Sequence, residues 1–132
     1  MPQNPKNNIR IEEMLLYSLK LWKKHQKEWS PLEAKYAKYR LLWLIGELGE
    51  VIDIIKKDGE KAIMQNQSVR AKLIEEITDC YMYLADTLNC YKVTSKKFSQ
   101  IYHQKMQYNL RREYKKRKYP KQEKESAEER VR

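Results

Sequence analysis

Four acidic side chains form the most informative pattern in the sequence. They stand as two pairs, Glu47 with Glu50 and Glu76 with Asp79, and both pairs lie in segments of helical periodicity. Residues three apart lie on the same face of a helix, so each pair places two carboxylates one turn apart on one face. Carboxylate oxygens from two helices are the hard ligands that a divalent cation such as Mg²⁺ prefers.

The two pairs occupy equivalent positions on their helices. At about 100° per residue, Glu47 and Glu76 each lie at the edge of an apolar arc and not on the polar face. The arcs comprise Leu41, Leu44, Ile45, Leu48, Val51, Ile52 and Ile55 on one helix, and Leu73, Ile77, Cys80, Tyr81, Leu84 and Leu88 on the other. If the helices pack antiparallel across a shared core, the pairs face each other. The other acids on these helices are predicted to point outwards: Asp53, Glu75 and Asp86.

Facing carboxylates of this kind need compensation. A single charged pair on a helix is more often a solvated surface, but two pairs in matching phase favour a site. Two unit charges about 4 Å apart repel by about 4 kcal/mol at an effective dielectric constant of about 20. Protonation, pairing with Lys72 or a bound cation would relieve this repulsion. Because one lysine cannot neutralise four carboxylates, we expect a divalent cation.

Helical periodicity runs through most of the chain and predicts an all-α fold. The predicted helices span about residues 9–28, 31–57, 69–88 and 95–114. With 132 residues the chain is long enough for one domain with a single core. We therefore divide it into an N-terminal extension at 1–8, a helical domain at 9–114 and a tail at 115–132.

Capping signals set several helix boundaries. Ser30 and Glu33 form a predicted capping box that opens the second helix. Gly59 is predicted to end that helix in a left-handed conformation. Ser68 and Thr94 are predicted to cap the third and fourth helices.

Charge and hydropathy restrict the class of protein. Residues 105–132 contain eleven Lys or Arg and five Glu, a net charge of +6 out of the total of +10. We expect the basic tail at 115–132 to be disordered, because it offers almost no aliphatic residues to a core. The sequence lacks an apolar run of about eighteen residues and a visible secretion signal. We therefore expect a cytoplasmic protein without a membrane association.

Three motifs occur in order along the chain. They are GELGE at 46–50, EEITDCYMYL at 75–84 and KMQYNLRREY at 105–114. Together they resemble the E-x-x-E, E-x-x-D and K-x-x-x-N-x-x-R signatures of the MazG-like nucleotide pyrophosphohydrolases. This all-α group includes the dimeric dUTPases and the dCTP pyrophosphatases. The resemblance covers residues 9–114.

The resemblance implies an oligomeric four-helix MazG-like bundle. Such a protein would hydrolyse a (deoxy)nucleoside triphosphate between the α- and β-phosphates to a monophosphate and pyrophosphate. By position it assigns Mg²⁺ binding, with Mn²⁺ as an alternative, to Glu47, Glu50, Glu76 and Asp79. It assigns phosphate or sugar contacts to Lys105, Asn109 and Arg112, and it places Tyr83 and Trp29 in the base pocket. Arg111 is an alternative to Arg112, and the preferred base stays open.

The chemistry of these residue types agrees with that activity. Cleavage of a pyrophosphate bond needs alignment, charge stabilisation and a proton acceptor. A carboxylate in partly apolar surroundings has a raised pKa and can accept a proton from water. Either Glu47 or Glu50 is therefore the predicted catalytic base.

Two other functions stay open from the residues alone. A helical bundle with a basic tail is typical of a nucleic-acid binder, although inward acids would repel that ligand. A non-catalytic assembly protein is the second alternative. A lone four-helix domain of this size exposes apolar edges, so we expect a homodimer or a homotetramer.

Overall fold

The structure, a computed structural model, describes residues 6–113. All regular structure in this range is helical, which confirms the predicted all-α class. The elements are α1 (Ile11–His25), a 3₁₀ helix (Ala34–Tyr36), α2 (Ala37–Gln65), α3 (Gln67–Cys90) and α4 (Ser95–Arg111). The tail predicted at 115–132 lies outside the described residues. In the described helices, no stretch has both the length and the apolar character needed to cross a membrane.

The chain divides into two units, and the boundary between them falls inside α4. The first ends at Ile101 and the second begins at Tyr102. In the first unit α2 and α3 form the most extensive helix pair, and α1 packs on α3. The candidate site described below lies entirely within this first unit.

The start of α2 differs from the prediction. The Ser30 to Glu33 capping box does not form, and α2 begins at Ala37 after the 3₁₀ turn. The side chain and carbonyl of Ser30 instead accept tertiary hydrogen bonds. Trp22 Nε1 donates to the Ser30 carbonyl at 3.0 Å, and Arg40 donates both to this carbonyl, at 2.8 Å, and to the Ser30 hydroxyl.

The remaining caps follow the prediction in part. Asn66, and not Ser68, caps α3, because its side-chain oxygen accepts from the backbone N–H groups of Ser68 at 3.0 Å and Val69 at 3.2 Å. Thr94 caps α4 as predicted, with its hydroxyl accepting from the Lys97 N–H at 3.1 Å. Gly59 has the expected positive φ, 78°, but its ψ of 165° lies outside the left-handed helical region, and α2 is interrupted there and resumes to Gln65 instead of ending.

The buried core of the described residues is small. Its apolar members are Leu15, Leu32, Ala37, Ile63, Cys80, Ala85 and Cys90. Much of the two predicted apolar arcs is instead exposed on the surface, for example Ile45 at 64% and Ile52 at 52%. The two arcs therefore pack across a shared core only in part, and their exposed part forms an apolar surface.

Candidate functional site

Three of the four predicted acids converge between α2 and α3. Glu47 on α2 and Glu76 and Asp79 on α3 each contribute one carboxylate oxygen to a group whose atoms lie within 4.8 Å of one another. All three side chains are half-buried. We call these three residues the carboxylate cluster. Glu50 is exposed and lies outside this group.

The electrostatics of the carboxylate cluster are unfavourable as it stands. Partial burial raises the pKa of Glu76, and a hydrogen bond with Glu47 raises it further. The negative charges of Glu47, Asp79 and Glu50 act in the same direction. The raised pKa of Glu76 therefore reflects its burial together with the crowding of these negative charges.

Lys72 does not supply the missing positive charge. Among residues 6–113 no salt bridge joins Lys72 to the carboxylate cluster. Of the two ways in which the protein alone could compensate these charges, protonation and pairing with Lys72, the second is not used. The cluster retains the oxygen donors and the negative charge that attract a hard cation.

The carboxylate cluster opens into a cavity in the first unit. This cavity, which we call the main cavity, has a volume of about 530 Å³. Its lining includes Glu47 and Asp79 from the cluster together with Trp29, Tyr83 and Asp86. A cavity lined by both acidic oxygens and aromatic rings can accommodate a ligand that carries both a charged group and an apolar ring.

A second cavity of about 670 Å³ shares part of this wall. Trp29, Tyr83 and Asp86 line both cavities, and Arg40 and Trp43 line the second. The ring centroids of Trp43 and Tyr83 lie 6.0 Å apart at an interplanar angle of 53°. Trp29 and Tyr83, the two predicted base-pocket residues, therefore both contribute to the cavity beside the cluster.

Neighbouring groups fix the aromatic wall. His25 stacks on Trp29 with 4.4 Å between ring centroids and an angle of 21°. Burial raises the pKa of the Tyr83 hydroxyl, and the charges of Glu47, Asp86 and Asp79 raise it further. Tyr83 therefore stays a neutral hydrogen-bonding group next to the acids.

A buried polar network completes the wall and was not predicted from the sequence. Asp86, expected on an outer face, has a side chain only 22% exposed and accepts a hydrogen bond from the Ser18 hydroxyl on α1. Arg40, 2% exposed, places its Nε 3.9 Å from Asp86 Oδ2. The available signal was the seven-residue spacing from Asp79 to Asp86, which keeps both on one face of α3.

The predicted phosphate-binding residues lie in the second unit. Lys105 Nζ and Arg112 Cζ lie 5.5 Å and 5.6 Å from the ring centroid of Tyr108. Asn109 is half-buried, and within the described residues its Oδ1 is buried without a hydrogen-bond partner. Their assignment to a substrate stays a prediction.

No protein-family model, curated protein or solved structure matches this chain. The resemblance to the MazG-like pyrophosphohydrolases is therefore carried by the three sequence motifs alone. The geometry of the first unit provides an independent basis for a functional hypothesis.

Proposed function

We propose that this protein hydrolyses a (deoxy)nucleoside triphosphate between its α- and β-phosphates in the presence of Mg²⁺ or Mn²⁺. The observation that carries the proposal is the carboxylate cluster at the edge of an aromatic-walled cavity. Acidic oxygens suit the cation of a metal–phosphate complex, and aromatic rings suit a nucleobase. The three sequence motifs agree with this assignment.

The residues present fit a hard divalent cation. Glu47, Glu76 and Asp79 supply oxygen donors within 4.8 Å of one another, and the raised pKa of Glu76 reflects burial and crowding of negative charge. Glu50, one turn from Glu47, adds a nearby fourth carboxylate. A divalent cation held there would neutralise charge on the phosphate oxygens.

The protein side chains have separate roles in this proposal. Glu47 or Glu50 accepts the proton of the attacking water. Glu47 borders the main cavity and lies beside Glu76 in the carboxylate cluster, whereas Glu50 is exposed. Trp29 and Tyr83 flank the base. The resemblance also assigns phosphate or sugar contacts to Lys105, Asn109 and Arg112, and we retain that assignment as a prediction.

The test compares two neighbouring glutamates. Glu76→Gln is expected to reduce Mg²⁺-dependent pyrophosphate release by at least about 100-fold, since it removes a charged ligand. Glu75→Gln is the matched control, because Glu75 is exposed and does not belong to the cluster. The assay covers a panel of natural (deoxy)nucleoside triphosphates, and circular dichroism checks helicity. Full activity of Glu76→Gln would remove this residue from the mechanism.

Two further measurements refine the assignment. Glu50→Gln is expected to abolish turnover as well if Glu50 is a ligand or the base, and unchanged activity leaves Glu47 as the candidate base. Salt-dependent DNA binding without hydrolysis of any nucleotide would instead support the nucleic-acid-binding alternative. Both measurements use the full chain.

We also propose that a second copy of the chain covers the exposed apolar surface. One stripe on α2 comprises Leu41, Ile45, Leu48, Ile52 and Ile55, and one on α3 comprises Ile74, Ile77, Tyr81 and Leu84. Each follows helical spacing, so each forms one continuous face. Contiguous apolar surfaces of this kind are typical of interfaces between protein molecules.

The oligomeric state tests this part of the proposal. We expect a homodimer, or alternatively a homotetramer, by light scattering coupled to size-exclusion chromatography. Ile45→Glu is expected to shift the protein towards the monomer, whereas Lys57→Glu, at an exposed position on the face of α2 opposite the stripe, should leave the mass unchanged. A monomeric wild-type protein would contradict the proposal.

A further inference from the structure

Asp86 is a carboxylate at the junction of the two cavities. It lies on α3 two turns beyond Asp79 and lines both the main cavity and the second cavity. Its side chain is 22% exposed, so it is accessible from the cavities although most of its surface is covered. It does not belong to the carboxylate cluster.

The two oxygens of Asp86 differ in their partners. Oδ1 accepts the hydrogen bond from the Ser18 hydroxyl. Oδ2 lies 3.9 Å from Arg40 Nε, which is beyond hydrogen-bonding distance. Within the described residues no hydrogen bond reaches Oδ2. This oxygen therefore retains its capacity to accept a hydrogen bond from a ligand.

The donors of Arg40 are directed elsewhere. Its Nη1 and Nη2 donate to the hydroxyl and the carbonyl of Ser30, and its Cζ lies 5.4 Å from the ring centroid of Trp43. Arg40 thus sits beside Asp86 as a fixed positive charge. It favours the ionised carboxylate without occupying the lone pairs of Oδ2.

Aromatic rings line the same two cavities as this acceptor. Trp29 and Tyr83 line both cavities together with Asp86, and Trp43 lies beside Tyr83 in the second cavity. Rings can hold a heterocycle by stacking, but they do not distinguish between bases. A hydrogen-bond acceptor in the same cavities, Asp86 Oδ2, can distinguish bases by the donor or acceptor groups on their edges.

We propose that Asp86 selects the base of the substrate by accepting a hydrogen bond from an exocyclic amino group. The inference rests on the proposed nucleotide hydrolysis and adds its substrate class. Cytosine presents an amino donor at the position where uracil presents a carbonyl acceptor. An acceptor facing a carboxylate is repelled, so amino-bearing bases are preferred over uracil and thymine.

The decisive comparison uses two bases of nearly equal shape. Calorimetry in Mg²⁺ measures binding of the α,β-imido analogues of dCTP and dUTP, in which the bond to be cleaved carries NH in place of oxygen. The dCTP analogue is expected to bind at least about 10-fold more tightly, in keeping with discrimination by one base-edge contact. Equal affinities, or a preference for the dUTP analogue, would overturn the inference.

A variant of Asp86 separates recognition from structural support. Asp86→Asn keeps the side-chain shape but places an amide where the carboxylate was, so the preference is expected to fall at least about 10-fold or to reverse. Ser18→Ala removes the donor to Oδ1 and leaves the carboxylate, so the preference should persist. A purely structural role for Asp86 would weaken both ligands equally and leave their ratio unchanged, which would overturn the inference.

A change in the ligand keeps the test independent of variant folding. The analogue of dCTP with a 2-pyrimidinone base lacks only the amino group, and wild-type protein is expected to bind it at least about 10-fold more weakly than the cytosine analogue. Undiminished binding contradicts the inference. If the wild type prefers the dCTP analogue but hydrolyses no triphosphate, the proposed function fails and base selection stands. Failure to bind any of the analogues overturns both.

Discussion

Two acidic sites lie two turns apart on α3 and are stabilised in different ways. Asp79 and Glu76 meet Glu47 in a group of like charges. Asp86 instead meets a hydroxyl from Ser18 and a guanidinium from Arg40. The fold thus balances the negative charge of Asp86 with the guanidinium of Arg40, whereas the carboxylate cluster retains an excess of negative charge that an external cation can balance.

The pKa shifts show the same contrast. Burial raises the pKa of Asp86, but Ser18 and Arg40 both oppose the rise. Burial also raises the pKa of Glu76, and there its acidic neighbours add to the rise. Burial is therefore the main cause of the raised pKa at both groups, whereas the neighbouring side chains act in opposite directions at the two sites.

Removing the guanidinium of Arg40 beside Asp86 is expected to change the stability of the protein most. Arg40→Ala removes both hydrogen bonds to Ser30 and leaves a mostly buried carboxylate without its partner. We expect the free energy of unfolding, measured by urea denaturation, to fall by about 3 kcal/mol. Arg70→Ala is the control, since Arg70 is exposed and its loss should change stability by less than about 0.5 kcal/mol. Similar losses in both variants would show that Arg40 does not support the network.

Removing one negative charge should change the Tm in opposite directions at the two sites. In metal-free protein, Glu76→Gln is expected to raise the Tm by a few degrees, because it relieves repulsion within the carboxylate cluster. Asp86→Asn is expected to lower the Tm, because Arg40 then lacks its counter-charge. Differential scanning calorimetry measures both.

The response to Mg²⁺ provides the control for this pair. Mg²⁺ should raise the Tm of the wild type and of Asp86→Asn, since binding to the folded state stabilises it. It should raise the Tm of Glu76→Gln much less. Equal responses of the two variants would contradict the division of roles.

Local sequence patterns account for most of the fold but not for every helix boundary. Period and capping chemistry correctly placed Thr94 at the start of α4 and a break at Gly59. Ser30 also has the local pattern of a cap, yet Arg40 and Trp22 occupy its oxygens. Tertiary hydrogen bonds to Ser30 thus override its local preference for capping a helix.

The candidate site shows the same limit. Helical phase was sufficient to predict that Glu47, Glu76 and Asp79 share one region, because α2 and α3 pack together. The helical phase of the α3 residues did not indicate against which face of α3 the helix α1 packs. Ser18 on α1 meets Asp86, so a side chain expected in solvent is covered. Which face of one helix packs against another is set by tertiary structure, and the periodicity of a single helix does not reveal it.

The smallest expected effect is a difference between two titration curves. In metal-free protein both Glu76 and Asp86 should titrate above their usual pKa values of 4.5 and 3.8. Saturating Mg²⁺ should lower the pKa of Glu76, because a cation favours the ionised form, and should leave that of Asp86 nearly unchanged. Carboxyl chemical shifts measured by NMR across the pH range follow both groups.

The same shifts fix the sign of the pH dependence. A carboxyl group whose pKa is raised by folding binds its proton more tightly in the folded state. Lowering the pH through the folded-state pKa of Glu76 towards 4.5 therefore stabilises the metal-free protein. With Mg²⁺ bound the sign reverses, because protons then compete with the cation and acidification destabilises the protein. If the pKa of Asp86 falls in parallel with that of Glu76 on adding Mg²⁺, the two acidic sites act as one, and the contrast between an internally balanced and an externally balanced site is wrong.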